Sequence, residues 1–284
     1  MSWFFLASFE YAILALLGFG STNLFVKKPL EKLGTDFTIL VRYFFAFILT
    51  LAALLIFSKI QLPSSNMIPF LAANILIGTI AILALYKAMK EGKLSIVLPF
   101  SSAHVLIVLL FGIFVFHETL SITQLAGAGI GLIGALVIAL QRFEFKNFEK
   151  GISPAIITLV GWGFYFSILK ILSQELDPFN IIFYSETGIF ICLLVYFVLT
   201  RRKLDIGFSE IPSIGIASII STIAILAYNF SIGSIGIALT AFFYSGNSAL
   251  SVILSRIFLK EQIPKIKYLA VVGIVAGLML IALV

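Results

Sequence analysis

The 284-residue chain has one cysteine, Cys192, and two histidines, His104 and His117. A single thiol cannot close an intramolecular disulfide, so no redox compartment is legible from it. Two isolated histidines give no ligand spacing, and no metal site is expected. Charge is scarce too: 11% of residues are Asp, Glu, Lys or Arg, against about 25% in soluble domains. There is no GxxxxGK[ST] loop, which argues against ATP hydrolysis by this chain. Gly18-Phe19-Gly20 lies in an apolar run and is not a dinucleotide motif. No Ser-His-acid set is evident, so the chain is not read as an enzyme, and no cofactor is expected. The net charge of +6 is spread between apolar runs and forms no patch, so nucleic acid is not an expected partner.

Apolar residues fill the space that charge leaves. They make up 61% of the chain and include 29 Phe, more than one core of this size can hide. The lipid bilayer is the expected solvent and the class is an all-α integral membrane protein. The start, "MSWFFLASFEYAILALL", lacks the basic region of a signal peptide and reads as a retained span, with Trp3 and Phe4 at the interface. A crossing helix needs about 20 mostly apolar residues. Ten runs qualify: 3–26, 36–57, 67–89, 94–116, 121–141, 152–172, 180–200, 209–231, 236–258 and 265–284. They are continuously apolar rather than alternating, which excludes a β-barrel. Pro69, Pro154 and Pro212 sit near span starts, where a missing N–H costs little. Pro99 lies inside the fourth run and is expected to kink or loosen it.

The chain states its pattern twice. "HETLSITQLAGAGIGLIGALVIAL" from His117 resembles "KEQIPKIKYLAVVGIVAGLMLIAL" from Lys260, at an offset of 143 residues. At the same offset Gly18-Phe19-Gly20 matches Gly161-Trp162-Gly163, Lys27 matches Lys170, Thr79 matches Thr222, Ser102 matches Ser245 and Gly134 matches Gly277. Near Tyr86 and Tyr228 the register slips by one. Five spans per copy is an odd number, so the second copy starts on the opposite side of the membrane. The expected architecture is ten transmembrane helices as two inverted five-helix repeats, 1–141 and 142–284, in one membrane domain. With the first terminus outside, the inner links carry sixteen Lys and Arg and the outer links carry two, Lys59 and Lys170. Basic residues favour the cytoplasmic side, so both termini are expected to be extracytoplasmic in a multi-pass protein of the cell membrane.

"LYKAMKEGKLSIVLPFSSAHVLIVLLFGIFVFHETLSITQLAGAGIGLIGALVIAL" resembles the second part of an EamA-type repeat of the drug/metabolite transporter superfamily. Tyr86, Ala88, Gly92, Pro99, Glu118, Gly127 and Gly134 fit that pattern, and Arg42 in "LVRYFFA" fits the Arg often found in the second span. The second copy departs from it: Phe242 stands where Pro99 stands in the first, and Glu186 falls in the register beside Arg42. The resemblance implies transport of small metabolites, drugs or amino acids, often as export. It also implies termini in the cytoplasm, opposite to the charge count.

Polar groups deep in lipid point to a site, because each needs water, protein or cargo. His104 and its repeat partner Asn247 both lie about ten residues into their spans, roughly 15 Å deep. Ser101 shares a helix face with His104. Thr240, Tyr244, Asn247 and Ser251 form one stripe at spacings of 4, 3 and 4. Two readings stand for these groups, cavity lining and interhelical bonding. Trp162, at mid-span, either stacks on an apolar or aromatic cargo or packs in the core. Arg42 either snorkels to the inner surface or meets an anionic substrate. About 10 Å of depth should keep it from pairing with Glu10 or Glu186. Those two carboxylates are the candidates for proton coupling or gating, and Lys170 is placed to neutralise one of them. Glu118 and Glu261 are expected to serve the starts of the spans that follow them. Together these residues read as a transporter, secondary-active or facilitative, of small metabolites, amino acids or amphipathic compounds. It would work by alternating access, with a monomer favoured. A lipid-handling protein and a structural or sensory membrane protein are the alternatives.

Overall fold

The computed structural model describes residues 2–92, 94–140, 151–201, 208–258, 260 and 264–282. Lys93, Arg142, Lys146, Lys150, Arg202, Lys203 and Glu261 lie outside the described residues, as do the side chains of Trp3, Phe4, Pro99 and Lys267. The described residues are helical, without a strand. The helices are α1 (Ser2–Phe57), α2 (Ile68–Glu91), α3 (Leu94–Ser102), α4 (Val105–Leu110), α5 (Ile122–Leu140) and α6 (Ile152–Leu172). They continue with α7 (Pro178–Thr200), α8 (Ile211–Ile235), α9 (Ile237–Ser245), α10 (Asn247–Phe258) and α11 (Lys265–Ala282). Among the described residues, 6 helices are long and apolar enough to cross a membrane, and shorter apolar helices lie at Phe100–Val115, Ile122–Gly134 and Tyr268–Ile281.

Ten separate rods are not what is seen. The first two runs form one helix, α1, broken at Gly34 (φ 77°, ψ 174°), a backbone conformation that glycine reaches without steric cost. Contacts with α8 show that the chain reverses there. A Cβ on Gly18 would meet Ala224, Phe25 O accepts from Ser213 Oγ, and Lys32 pairs with Glu210, so the first arm descends along α8. The second arm climbs back, with Arg42 O accepting from Ser218 Oγ and Phe57 stacking on Phe179. The fourth and ninth runs are each interrupted in the middle, as described below.

The contacts repeat with the sequence. A Cβ on Gly18 would come within 2.6 Å of Ala224 Cβ, and one on Gly161 within 2.8 Å of Ala81 Cβ. Gly20 faces Leu250, and Gly163 faces Ile107. Gly127 opposes Gly277 O, and Gly134 opposes Ala270 O. Each second contact is the first with 143 added to one partner and subtracted from the other, which is what a two-fold relation between halves produces. Small residues at these points let backbones approach closely. Away from the core, large apolar side chains such as Leu17, Leu76, Ile191 and Val272 face outward, where lipid rather than water suits them.

The connections gather at two ends. One end carries 58–67, 117–121, 173–177 and Gly236. The other carries the reversal at Gly34, Gly92 near Gly151, and the pair Lys32–Glu210 at 2.6 Å. A clasp at the first end was missed in the sequence, although Asp177-Pro178 there is a legible helix start. Asp177 caps α7 by accepting from Phe179 N and Asn180 N. It also accepts from Ser58 Oγ at 2.6 Å. Asn180 accepts from Gln61 N and donates to Lys59 O. Glu175 accepts from the amide and hydroxyl of Ser64.

Two predictions follow from these contacts. Gly18→Val and Gly161→Val should each destabilise by about 1–3 kcal/mol from overpacking. Gly215→Val, with nothing within 4 Å of its Cβ, should not lower the unfolding midpoint in detergent. The bonds from Ser64 hold the Glu175 carboxyl below its ordinary range. That stabilisation is present above the ordinary glutamate pKa and is lost as pH falls through the lowered one. Acidification should therefore lower the protection of the Ser64 amide against hydrogen exchange, measured relative to its intrinsic rate at each pH, and Glu175→Gln should remove that acid dependence.

Candidate functional site

A cavity of about 80 Å³, large enough for several waters, lies at the centre of the helices. Every helical run except α5 and α11, which pack on one another, contributes to its wall. The first arm of α1 supplies Phe19, Thr22 and Asn23, and the second arm supplies Arg42 and Tyr43. Tyr86 comes from α2, Ser101 from α3, Glu186 from α7 and Ser221 from α8. Trp162, Tyr165 and Phe166 come from α6, three residues of one helical turn.

Two helix breaks aim the remaining residues. Between α3 and α4 the chain tightens, with Ala103 N bonded to Phe100 O at 3.2 Å and His104 N to Ser101 O at 3.3 Å. Between α9 and α10, Gly246 N bonds to Phe243 O at 3.0 Å. Subtracting 143 from 246 and 243 gives 103 and 100, so the two breaks are the same feature in the two halves. Pro99 cannot be its general cause, because Phe242 holds the equivalent place and that helix breaks as well. His104 and Asn247 directly follow the breaks and both line the cavity. Ser102 Oγ donates to Asn247 Oδ1 at 2.9 Å, joining the halves at this point.

The floor is aromatic. His104 stacks on Phe166 with ring centres 5.1 Å apart and planes 12° apart. Tyr244 is 5.1 Å from His104 and 5.0 Å from Phe19. Trp162 meets Tyr165 edge-on at 4.9 Å. Against this apolar background several polar atoms have no partner: Arg42 Nε and Nη1, Ser101 Oγ and His104 Nε2. Arg42 is only 9% exposed, with Cζ 5.0 Å from the Tyr43 ring centre. A cation–π contact contributes about 0.5–2 kcal/mol. An unpaired buried charge costs several kcal/mol, so the ring alone does not offset the burial of this guanidinium.

The structure brings together His104, Asn247, Tyr244, Ser101, Trp162, Arg42 and Glu186. It does not bring Thr240, Ser251 or Glu10 to the cavity. Thr240 Oγ1 lies 2.8 Å from Ser231 Oγ and also donates to Gly236 O, while Ser251 Oγ donates to Gly20 O at 3.3 Å. Their stripe assumed one continuous helix, and the break at Gly246 divides it. Glu10 is on the exposed exterior. Arg42 turns to the cavity rather than to the surface. It forms no ion pair within 4.0 Å among the described residues, yet it shares the cavity with Glu186. Depth counted along straight rods had separated the two. Tyr43, Tyr165 and Phe166 were missed. Their signal was spacing: one lies beside Arg42, and the others lie three and four residues from Trp162.

Glu118 does serve a helix start, but not that of the following span. Its carboxylate accepts from Ile237 N and Ala238 N, both at 2.8 Å, and so caps α9 of the other half. Gly236 (φ 82°) permits the approach, since a Cβ there would sit 2.8 Å from Oε1. Lys170 pairs with Glu118 at 3.4 Å rather than with Glu10 or Glu186. The start of α5 is held by Ser121 and Gln124, each bonding the other's backbone amide, a capping box legible as S-x-x-Q. Glu118→Ala should cost about 1–3 kcal/mol, because it orphans two amides and a lysine, and Glu118→Gln should cost less. Unfolding midpoints in detergent measure both.

The model of the EamA-like transporter family, part of the drug/metabolite transporter superfamily, matches this chain twice, over residues 8–140 and 149–283. An uncharacterized protein of Methanocaldococcus jannaschii is 28% identical over 130 residues, which are 46% of this chain and 94% of that protein. A crystal structure, described only as that of a protein, superposes with a TM-score of 0.75 over 98% of this chain and 97% of its own, at 19% identity. That likeness shows the fold alone. With both halves matched, the chain belongs to the EamA-like transporter family.

Proposed function

We propose that this chain is a secondary carrier that moves a small, partly apolar molecule across the cell membrane, as an exporter, by alternating access around the central cavity. The observation that carries this reading is the pair of equivalent helix breaks, at Ala103–His104 and at Gly246, that turn one unsatisfied and one cross-bonded side chain into a cavity walled by both halves. Carriers built from inverted repeats place their sites at such discontinuous helices.

In this reading the chain crosses ten times, as the two arms of α1, α2, α3 with α4, α5, α6, α7, α8, α9 with α10, and α11. Residues 1–141 and 142–284 are then the two inverted repeats. The Methanocaldococcus relative, of which 130 residues are 94%, is about as long as one repeat. Among the described residues Lys27, Lys28, Lys32, Lys87 and Lys90 belong to connections at one end, and Lys59 and Lys170 to those at the other. Basic residues favour the cytoplasmic side, so the termini are extracytoplasmic in this reading. The cargo is a small metabolite, an amino acid or an amphipathic compound, and the protein acts as a monomer without a bound cofactor. Glu186, on the cavity wall, is the group placed to couple a proton.

Purified protein in liposomes should take up one or more radiolabelled solutes from a panel of amino acids and small amphipathic compounds, saturably. A proton gradient should alter the rate. His104→Ala and Asn247→Ala should each reduce uptake about tenfold or more, the equivalent of one lost hydrogen bond of about 1.4 kcal/mol, while the proteins stay folded. Absence of both flux and binding for every solute in the panel would overturn the carrier reading.

A further inference from the structure

We infer that the cargo carries a carboxylate or an equivalent compact oxyanion, which docks on Arg42, with its apolar body against the aromatic floor. This rests on the carrier reading and names the chemistry of the same cavity.

Arg42 is nine-tenths buried, and two of its guanidinium nitrogens carry no hydrogen bond. Unlike a lysine, an arginine keeps its charge when desolvated, so its unused donors require an acceptor. Among the described residues the protein offers Nε and Nη1 none at hydrogen-bond distance. Glu186, the one other charged side chain on the cavity wall, makes no ion pair with it among the described residues. Tyr43 meets the guanidinium with its ring face and its hydroxyl, and Nε and Nη1 are still left without a partner. A carboxylate has two coplanar acceptors that fit a guanidinium fork and take charge-assisted bonds. Two further orphans on the same wall, Ser101 Oγ and His104 Nε2, sit beside the ring stack of His104, Phe166 and Tyr244. An anionic head and a flat apolar body would therefore both be met in one cavity.

The test uses three probes with the same ring and different charge: benzoate, benzyl alcohol and benzylamine. Each is titrated against the full chain in detergent, and the shift in unfolding temperature reports binding to the native state. Benzoate should bind at least about tenfold more tightly than either of the others. Arg42→Gln should abolish that preference, and Arg42→Lys, which keeps charge but loses the planar fork, should retain only part of it. Should Arg42→Gln fail to fold, the Arg42→Lys result and the ranking of the three probes on the native chain still decide. Equal binding of all three probes, or a benzoate preference that survives Arg42→Gln, overturns the inference. If none of the three protects while a transported solute does, the anion site falls and the carrier reading stands.

Discussion

A backbone hydrogen bond given up inside lipid finds no water to replace it. This constraint governs the whole molecule, and it makes the two mid-helix breaks its most costly feature. At each break the chain recovers part of the loss with a tighter turn, Ala103 to Phe100 in one half and Gly246 to Phe243 in the other. Such breaks persist in membranes only where the exposed groups face protein or a wet cavity. Here the residues that directly follow the breaks, His104 and Asn247, line the cavity and add to its polarity. The position of the site and the irregularity of the helices are one fact seen twice.

The rest of the fold holds those two breaks opposite each other. Gly18 against Ala224 and Gly161 against Ala81 set the first arm of α1 close to α8 and α6 close to α2. These pairs carry rings of the cavity, Phe19 and Trp162, one residue after each glycine. A larger side chain at either glycine would push a cavity wall outward. Packing and site geometry are thus joined through residues that have no polar chemistry at all. The α5–α11 pair uses the same small-residue contact but contributes nothing to the wall, so it reads as a brace for the other helices.

Much of this was legible in the sequence, because the signals were periodic or duplicated. The apolar runs gave the helices. The 143-residue echo gave the pairing of Gly18 with Gly161 and of His104 with Asn247, and both of the latter line the cavity. What was not legible depended on where a helix stops being straight. The stripe from Thr240 to Ser251 is correct for an unbroken helix, but no residue near Gly246 announces a break as a proline would. The depth that kept Arg42 from Glu186 likewise assumed vertical rods, whereas a cavity several residues tall lets groups at different levels share one space. Glu118 was read as a helix-start residue, which is right in kind. Its helix lies 119 positions on, beyond the reach of any local pattern. By contrast the Ser121–Gln124 box, local and regular, could have been read directly.

The placement of Glu118 ties closure at one end to the relation between the halves. The carboxylate belongs to the connection before α5, the amides belong to α9, and the lysine belongs to α6. Hydrogen bonds weaken steeply with distance and angle, so a relative shift of about 1–2 Å, ordinary for sliding helices, would release both amides together. The clasp of Ser58, Gln61 and Ser64 on Asp177, Asn180 and Glu175 also joins the halves at that same end. At the opposite end Lys32–Glu210 and Ser213–Phe25 tie the first arm of α1 to α8. Each end is therefore held by polar contacts across the halves, and the middle combines rings and glycines with buried bonds of its own, Ser102 to Asn247 and Asn74 to Tyr165 and Ser185. In the carrier reading proposed above, rocking one half on the other breaks the discrete bonds of whichever end opens, and it must keep or exchange the Ser102–Asn247 bond that joins the halves at the pivot.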